Sequence, residues 1–200
     1  MAPRQDVSEE RKDQILEAAT RVFTQRGFDE ARMDDIVAEA GLSKGALYWY
    51  FESKEALITA IVDRVFDWES AHMREILASD ETAPRKIEAL IEITVQDLGK
   101  MKPLMPILFE FWSLSLRKES VNQAIKRYYQ RFLDMIEPVI QQGIAAGDFR
   151  PVNVSRTAIT FGAVFEGTML MWAYFPDRVE FEEQFKITLD ILLQGLAAKG

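Results

Sequence analysis

The 200-residue sequence has no cysteine and a single histidine, His72. The absence of thiols excludes disulfides, zinc fingers, iron–sulfur clusters and thiolate catalysis. One imidazole cannot build a soft-metal site, so we expect no bound metal and no cofactor. A chain without cysteine suits a reducing compartment, and the charged residues 1–14 lack the apolar segment of a signal peptide. We therefore expect a cytoplasmic protein.

Long apolar runs are also missing from the chain. Residues 103–116 are too short for a bilayer, which requires about 20 residues. Residues 157–175 nearly reach that length, but Glu166 stands in their middle, where a charge is costly inside a membrane. We therefore interpret both stretches as buried helices and expect no membrane partner.

Apolar residues recur at helical spacing along almost the whole chain, and no stretch alternates strictly enough to predict a strand. The sequence therefore predicts an all-α protein of about nine helices, separated by glycine and proline breaks. The first helix ends at Gly27, and the others are expected near residues 34–40, 43–51, 53 onward, 82–101, 107–117, 121–146, 154–174 and 181–198. Short helices give way to long ones near Ser53, which predicts domains at residues 1–54 and 55–200.

Residues 36–51, IVAEAGLSKGALYWYF, predict two short helices around a tight turn at Gly41 and Leu42. Apolar residues occupy one face of this pair and are expected inside: Ile36, Val37, Ala40, Leu42, Leu47 and Phe51. The residues expected outside are Ser43, Lys44, Gly45, Tyr48 and Trp49. The pattern is typical of a helix-turn-helix, whose second helix here begins with small residues and can enter the major groove, roughly 12 Å wide.

Three side chains around the second helix have chemistry that suits DNA. Lys44 can donate to a guanine edge or to a phosphate. Tyr48, one turn further on, can donate its hydroxyl to a phosphate, and Lys54 can pair with another. The segment therefore predicts contacts both to bases and to the phosphate backbone.

The same segment resembles the DNA-binding domain of the TetR family of transcriptional repressors over about residues 10–57. The matching positions are Ile15, Ala18, Phe23, Gly27, Phe28, Ile36, Ala40, Gly41, Ser43, Lys44, Gly45, Leu47, Tyr48, Tyr50, Phe51, Lys54 and Leu57. The resemblance implies that DNA is approached by Ser43, Lys44, Gly45, Tyr48, Trp49, Tyr50 and Lys54. It also implies that Arg32 and Met33 lie where the N-terminus of the second helix of the domain meets the phosphate backbone.

Two positions depart from the family pattern. Arg32 replaces the usual small hydroxyl residue, so a phosphate contact remains possible through the guanidinium while the N-cap hydrogen bond is put in question. Tyr50 stands where many relatives have histidine.

By the same analogy, the C-terminal part is a ligand-binding and dimerisation domain whose last two helices form a four-helix interface across a two-fold axis. The resemblance implies a ligand-responsive repressor that binds a pseudo-palindromic double-stranded DNA operator as a homodimer. The two recognition helices would lie about 34–36 Å apart, or a multiple of that. A small hydrophobic effector, for which a cation is a candidate, would release the protein from the operator.

The bulk charge argues against nucleic acid. The chain carries a net charge of −8, and residues 1–54 hold more acidic than basic side chains. We give the motif more weight, because DNA affinity depends on where the cations lie and a dimer needs few phosphate contacts in each half-site.

Side chains on the sixth, seventh and eighth helices could line a cavity for an apolar ligand. The candidates are Phe109, Glu110, Trp112, Tyr128, Phe132, Phe165, Glu166 and Met169. Core packing is the alternative for each apolar member. Glu110 and Glu166 are lone carboxylates in apolar helices, and a buried charge requires a partner. That partner is either a cationic, lipophilic ligand or an arginine such as Arg127 or Arg156.

Two rival functions remain. Residues 41–45 also match G-x-S-x-G, the nucleophile elbow of α/β-hydrolases, but that elbow follows a strand and needs a distant histidine and acid. Here a helix precedes it and His72 lies on another long helix, so we expect no catalysis. The remaining alternative is a helical protein that binds small molecules without specific DNA recognition, which the acidic balance and Arg32 favour.

Overall fold

The computed structural model describes the backbone of residues 4–198 and all of their side chains except those of residues 4–7, 66–72 and 96–102. Within this part of the chain there are nine α-helices, one 3₁₀ helix (Lys102–Leu104) and no strand. The α-helices are α1 (Arg4–Arg26), α2 (Met33–Ala40), α3 (Lys44–Tyr50), α4 (Lys54–Ala78), α5 (Ala83–Met101), α6 (Met105–Ser115), α7 (Glu119–Ala146), α8 (Val154–Tyr174) and α9 (Phe181–Leu196). The predicted all-α fold is confirmed.

Contacts between residues divide the chain into two compact units. The first unit is Met1–Trp68 with Lys100–Tyr128, so α6 and the beginning of α7 belong with the N-terminal helices. The second unit is Glu69–Gly99 with Tyr129–Gly200. The predicted division at residue 54, which follows from the change from short to long helices, stays a prediction. The side chain of His72 lies outside the described residues.

The core of the first unit begins with α1. Its buried stripe recurs at helical spacing and packs against α2; its members are Ile15, Leu16, Ala18, Ala19, Val22 and Phe23. Gly27, at φ 76°, ends the helix in the left-handed conformation that glycine adopts without steric cost. The chain then turns back so that the Phe28 ring lies 5.3 Å from that of Phe23. The end of α1 therefore lies where the sequence predicts it and has a glycine cap with a hydrophobic contact.

The turn after α6 is tied to the start of α4 within the same unit. Lys118 Nζ lies 3.2 Å from Glu55 Oε1. Burial alone would raise the pKa of Glu55, but a backbone hydrogen bond and Lys118 outweigh it and lower that pKa. Glu55 in the first turn of α4 therefore stays ionised and pairs with Lys118, which follows α6.

A buried lysine joins three elements of the second unit. The Lys86 ammonium donates to the Leu77 carbonyl near the end of α4 and to Gln142 Oε1 on α7, each at 3.0 Å. Gln142 in turn donates to the Glu81 carbonyl at 3.0 Å. Lys86 is only 6% exposed, and these acceptors compensate for the water that its ammonium loses.

None of the described helices is long and apolar enough to cross a bilayer. All but the last residue of the apolar stretch 157–175 lies in α8, which carries Glu166 in its interior.

A close contact in the second unit lies at Gly143 on α7. A methyl group at this position would overlap the ring of Phe149 and lie 2.9 Å from the Cβ of Ala83. We expect Gly143→Ala to lower the free energy of unfolding by about 1–3 kcal/mol, because the buried Phe149 ring has to move. Thermal unfolding followed by circular dichroism measures this.

Gly195→Ala on α9 is the matched control, because nothing lies within 4 Å of the added methyl group. It should leave the melting temperature unchanged or raise it slightly, since alanine is the better helix former by about 1 kcal/mol. Equal melting temperatures for the two variants would contradict the close contact at Gly143.

Candidate nucleic-acid interface and effector site

The corner between α2 and α3 fixes which side of α3 faces outward. Gly41 adopts φ 64° and its N–H donates to the Ala38 carbonyl at 3.2 Å, which ends α2. Ser43 begins α3, because its Oγ accepts the N–H of Ala46 at 3.2 Å. The chain therefore passes from one helix to the next within a few residues, as a helix-turn-helix requires.

The buried and exposed faces of this pair follow the predicted pattern. Ile36 and Leu47 are fully buried, and Ala40 and Phe51 are nearly so, whereas Val37 and Leu42 are only partly covered. All five residues expected outside are exposed: Ser43, Lys44, Gly45, Tyr48 and Trp49. Trp49 is 82% exposed and Tyr48 42%, so the outer face of α3 presents two aromatic side chains to its surroundings.

Five of the nine predicted DNA-binding residues line one open depression of about 520 Å³. Its lining consists of Asp29, Glu30, Ala31, Arg32, Met33, Asp34, Lys44, Tyr48 and Lys54. The other four predicted residues, Ser43, Gly45, Trp49 and Tyr50, lie along α3 outside this lining. The depression holds equal numbers of basic and acidic side chains, and the acidic ones were not among the predicted residues.

The N-terminus of α2 is capped by Asp35, because Arg32 at the N-cap position cannot accept a hydrogen bond. The Arg32 side chain has no acceptor and forms no cap hydrogen bond. Asp35 Oδ2 instead accepts the N–H of Arg32 at 2.9 Å, while its Oδ1 accepts from the Arg26 guanidinium at 3.0 Å. One carboxylate therefore fastens the N-terminus of α2 to the end of α1, and the exposed Arg32 guanidinium is left at the depression.

Lys44 pairs with a carboxylate in the free protein. Its Nζ lies 2.7 Å from Asp34 Oδ1 and 6.0 Å from the centre of the Tyr48 ring. The hydrogen bond to Asp34, and then its charge, raise the pKa of Lys44 above the usual value. The ammonium is therefore charged at every physiological pH.

Lys54 has a structural task besides the predicted phosphate contact. Its ammonium donates to the carbonyls of Phe28 at 2.6 Å and Asp29 at 3.1 Å, and it lies 4.7 Å from the centre of the Phe28 ring. These bonds hold the loop that follows α1. One ammonium proton remains, so a phosphate contact is still possible.

Gly45 has open space where a side chain would be. A methyl group built on it meets no atom within 4 Å, and the residue lies in an exposed first turn of α3. Glycine weakens a helix relative to alanine, and no internal packing compensates here. The backbone of α3 at Gly45 is therefore open to close approach by another molecule.

Four of the predicted ligand-binding residues lie in the first unit: Phe109, Glu110, Trp112 and Tyr128. The rings of Phe109 and Trp112 are 5.6 Å apart. Glu110 Oε1 is buried and has no hydrogen-bond partner among the described residues. Its basic neighbour is Arg117, with NH2 3.9 Å away. The sequence suggested an arginine such as Arg127 or Arg156 as a partner, and the arginine beside Glu110 is Arg117, seven residues further along the chain.

The other four lie in the second unit: Phe132, Phe165, Glu166 and Met169. Met169 is 1% exposed and belongs to the core of the unit. The Phe165 ring meets Phe181 and Phe185 of α9 edge-on, at 6.0 and 5.2 Å. These two partners were missed because an apolar residue in a sequence does not reveal which neighbour it will face.

Glu166 is the second unit's candidate for binding a charged ligand. It is half-buried, and burial raises the pKa of its carboxyl group. No ion pair to Glu166 is found among the described side chains, and the proposed partners Arg127 and Arg156 are both exposed. Burial therefore disfavours the charged carboxylate of Glu166, and no cation in the described part of the chain offsets this cost.

Comparisons with known proteins agree with this architecture. Residues 15–61 match the family model described as "Bacterial regulatory proteins, tetR family". Residues 83–197 match the model described as "BetI-type transcriptional repressor, C-terminal".

Two solved structures share the fold. A protein from Saccharomonospora viridis in complex with choline has a TM-score of 0.82 and 19% identity, covering 96% of this chain and 100% of that one. SmeT, the repressor of the Stenotrophomonas maltophilia multidrug efflux pump SmeDEF, has a TM-score of 0.78 and 21% identity, covering 94% of this chain and 91% of that one.

Among curated proteins, the uncharacterized HTH-type transcriptional regulator YfiR of Bacillus subtilis is 31% identical over 205 aligned positions, covering 98% of each chain. The second family model covers more than half of the chain, and YfiR is similar over its full length. Together they show the family. The chain belongs to the TetR family of bacterial transcriptional regulators.

Proposed function

We propose that this regulator is a repressor that binds a pseudo-palindromic DNA operator through the outer face of α3. The observation that carries the proposal is the fixed orientation of α3: Leu47 is buried while Lys44 and Tyr48 stand exposed beside the depression. A helix held in this way can enter a major groove with its first turn foremost. Such a regulator acts in the cytoplasm and carries no catalytic role.

The contacts divide by chemistry. Lys44 reaches base edges or a phosphate, and Arg32, Tyr48 and Lys54 reach phosphates. Trp49 is exposed on the same helix, and Gly45 lets the backbone of α3 come close to the duplex. A few well-placed cations in each half-site suffice despite the net charge of −8.

The protein acts as a homodimer through α8 and α9. Apolar or small residues recur one helical turn apart on an exposed stripe of α8: Ile159, Ala163, Gly167, Met171 and Tyr174. Ile187 and Ile191 of α9 are likewise exposed, the latter by 64%. Contiguous exposed apolar surface marks interaction sites, and a two-fold axis would present two copies of α3 to a symmetric operator.

A small hydrophobic cation is the effector that the second unit suits. Glu166 supplies a carboxylate without a described cationic partner. Phe165 precedes it in the sequence, and the Phe132 ring of α7 lies against Gly162 of the same helix, α8. Choline, bound by the protein of the same fold from Saccharomonospora viridis, is a small cation whose charge is surrounded by methyl groups. Effector binding shifts the dimer toward a state in which α4 changes the separation of the two α3 helices. A full switch requires about 5.5 kcal/mol of differential affinity.

The competing function is small-molecule binding without DNA recognition. A gel-shift assay with the DNA upstream of the protein's own gene separates the two. Binding that survives an excess of unrelated duplex supports the repressor, and the absence of any shift in dilute buffer supports the alternative.

Lys44→Ala should weaken operator binding by roughly tenfold to a hundredfold, because it removes a base or phosphate contact from each half-site. Fluorescence anisotropy with a labelled operator measures the change, and sedimentation should show an intact dimer. The control is Lys126→Ala, which removes an exposed lysine of α7. Wild-type affinity in Lys44→Ala would count against α3 as the recognition helix.

Ile191→Glu should convert the dimer to a monomer at micromolar concentration, because it buries a carboxylate in an apolar interface. Light scattering coupled to size exclusion gives the mass. Leu116→Glu is the matched control, since Leu116 is an exposed apolar residue in the first unit, away from α8 and α9 in sequence. A dimer that persists in Ile191→Glu would exclude this face as the interface.

Glu166→Gln should remove the binding of a hydrophobic cation such as tetraphenylphosphonium. The raised pKa of Glu166 means that its carboxyl group takes up a proton at a higher pH than an ordinary glutamate. Wild-type affinity should therefore fall as the pH is lowered through that pKa, whereas Glu166→Gln should bind weakly at every pH. Calorimetric titration tests this, with the exposed Glu182→Gln as control. An unchanged affinity and pH profile in Glu166→Gln would refute the assignment.

A further inference from the structure

Two neighbouring carboxylates in the first turn of α2 have different tasks. Asp35 holds the N–H of Arg32 and the guanidinium of Arg26, so it fastens α2 to α1. Asp34 instead pairs with Lys44 of α3, at 2.7 Å. The second carboxylate is therefore directed at the side chain that we expect to contact DNA.

The fold gains little from the pair between Asp34 and Lys44. The two side chains are 68% and 63% exposed, and ion pairs in such exposed positions contribute little to stability. The main effect of the pair concerns the charge of the surface: with Asp34 in place, Lys44 is not a free cation.

We propose that Asp34 is a specificity-determining residue, which lowers the affinity of the DNA-binding face for unrelated DNA more than its affinity for the operator. The inference rests on the proposed operator binding and assigns a role to a residue that makes no favourable contact with DNA itself.

On unrelated DNA, Lys44 has only phosphates to bind. Non-specific binding is driven by the counterions that a protein cation releases from the phosphates. Lys44 must give up Asp34 to release one, and the carboxylate then remains close to the phosphate. The loss of the old ion pair and the nearby carboxylate both reduce the gain from the new one, so Lys44 contributes less to binding of unrelated DNA than a free cation would.

On the operator, Lys44 can keep its partner. The ammonium has three donors, and Asp34 takes one of them. The other two can reach the O6 and N7 acceptors of a guanine, which are neutral and do not repel the carboxylate. A base contact therefore tolerates Asp34, whereas a phosphate contact competes with it.

Asp29 and Glu30 line the same depression as Asp34, so a general repulsion of phosphates is a second way in which carboxylates could act there. The two mechanisms differ in their dependence on Lys44. Pairing acts through Lys44, while general repulsion is shared by every carboxylate of the depression.

The experiment begins with the wild-type protein and a pool of random duplexes, from which repeated rounds of binding select an operator. The affinities of wild type, Asp34→Asn, Asp29→Asn and Glu39→Gln are then measured for that operator and for a random-sequence duplex of equal length, over a range of salt. Glu39 also carries an exposed ion pair, with Arg21, but lies outside the depression lining, so its variant controls for net charge.

Asp34→Asn should bind the random duplex about three- to tenfold more tightly near 0.1 M salt, with a salt slope steeper by about 0.9, because Lys44 becomes one more free cation. Operator affinity should rise by less than this, so the ratio of the two affinities falls. Glu39→Gln should keep the wild-type ratio. In a Lys44→Ala background, Asp34→Asn should no longer change the ratio.

The outcomes separate the two proposals. A wild-type protein that selects no sequence from the pool overturns the proposed function and this inference with it. A selected operator, together with an unchanged affinity ratio in Asp34→Asn, overturns this inference alone. An equal effect of Asp29→Asn, or an effect of Asp34→Asn that persists without Lys44, also overturns it and assigns the effect to general repulsion.

Discussion

The burial of one side of α3 is the constraint on which the proposed DNA-binding surface depends. Leu47 is fully covered, and the left-handed Gly41 and the Ser43 cap fix where α3 begins. Since a helix has 3.6 residues in each turn, covering Leu47 places Gly45 and Trp49 on the opposite, exposed side of α3, with Lys44 and Tyr48 along one flank. The packing of the inner face thus determines which residues α3 exposes. If Leu47 packed poorly, the position of every proposed contact residue on α3 would be less well defined.

Local signals explain how much of the fold the sequence could predict. Asn153 caps α8 through the N–H of Arg156, and the chain breaks again at Pro176, so α8 has the predicted bounds. The faces of α2 and α3 followed from periodicity in the same way. Such signals lie within a few residues of the element that they define, and a sequence displays them directly.

Contacts between residues distant in the chain were harder to predict. Lys54 donates a hydrogen bond to the carbonyl of Phe28, 26 residues away. The sequence near either residue does not indicate this contact. Asp34 and Lys44 are similar, because only the folded corner brings them together. For the same reason the sequence could not distinguish residues that line a cavity from residues of the core. Met169 is buried in the core, and the rings around Phe165 come from α9.

The double attachment of Lys54 has a consequence for how genetic data on this protein should be interpreted. The lysine supports the loop at Phe28 and Asp29, and that loop forms one wall of the depression. An alanine scan that measures only repression would therefore identify Lys54 as a DNA-contacting residue even if its ammonium made no contact with a phosphate. Loss of the wall and loss of a contact would give the same phenotype.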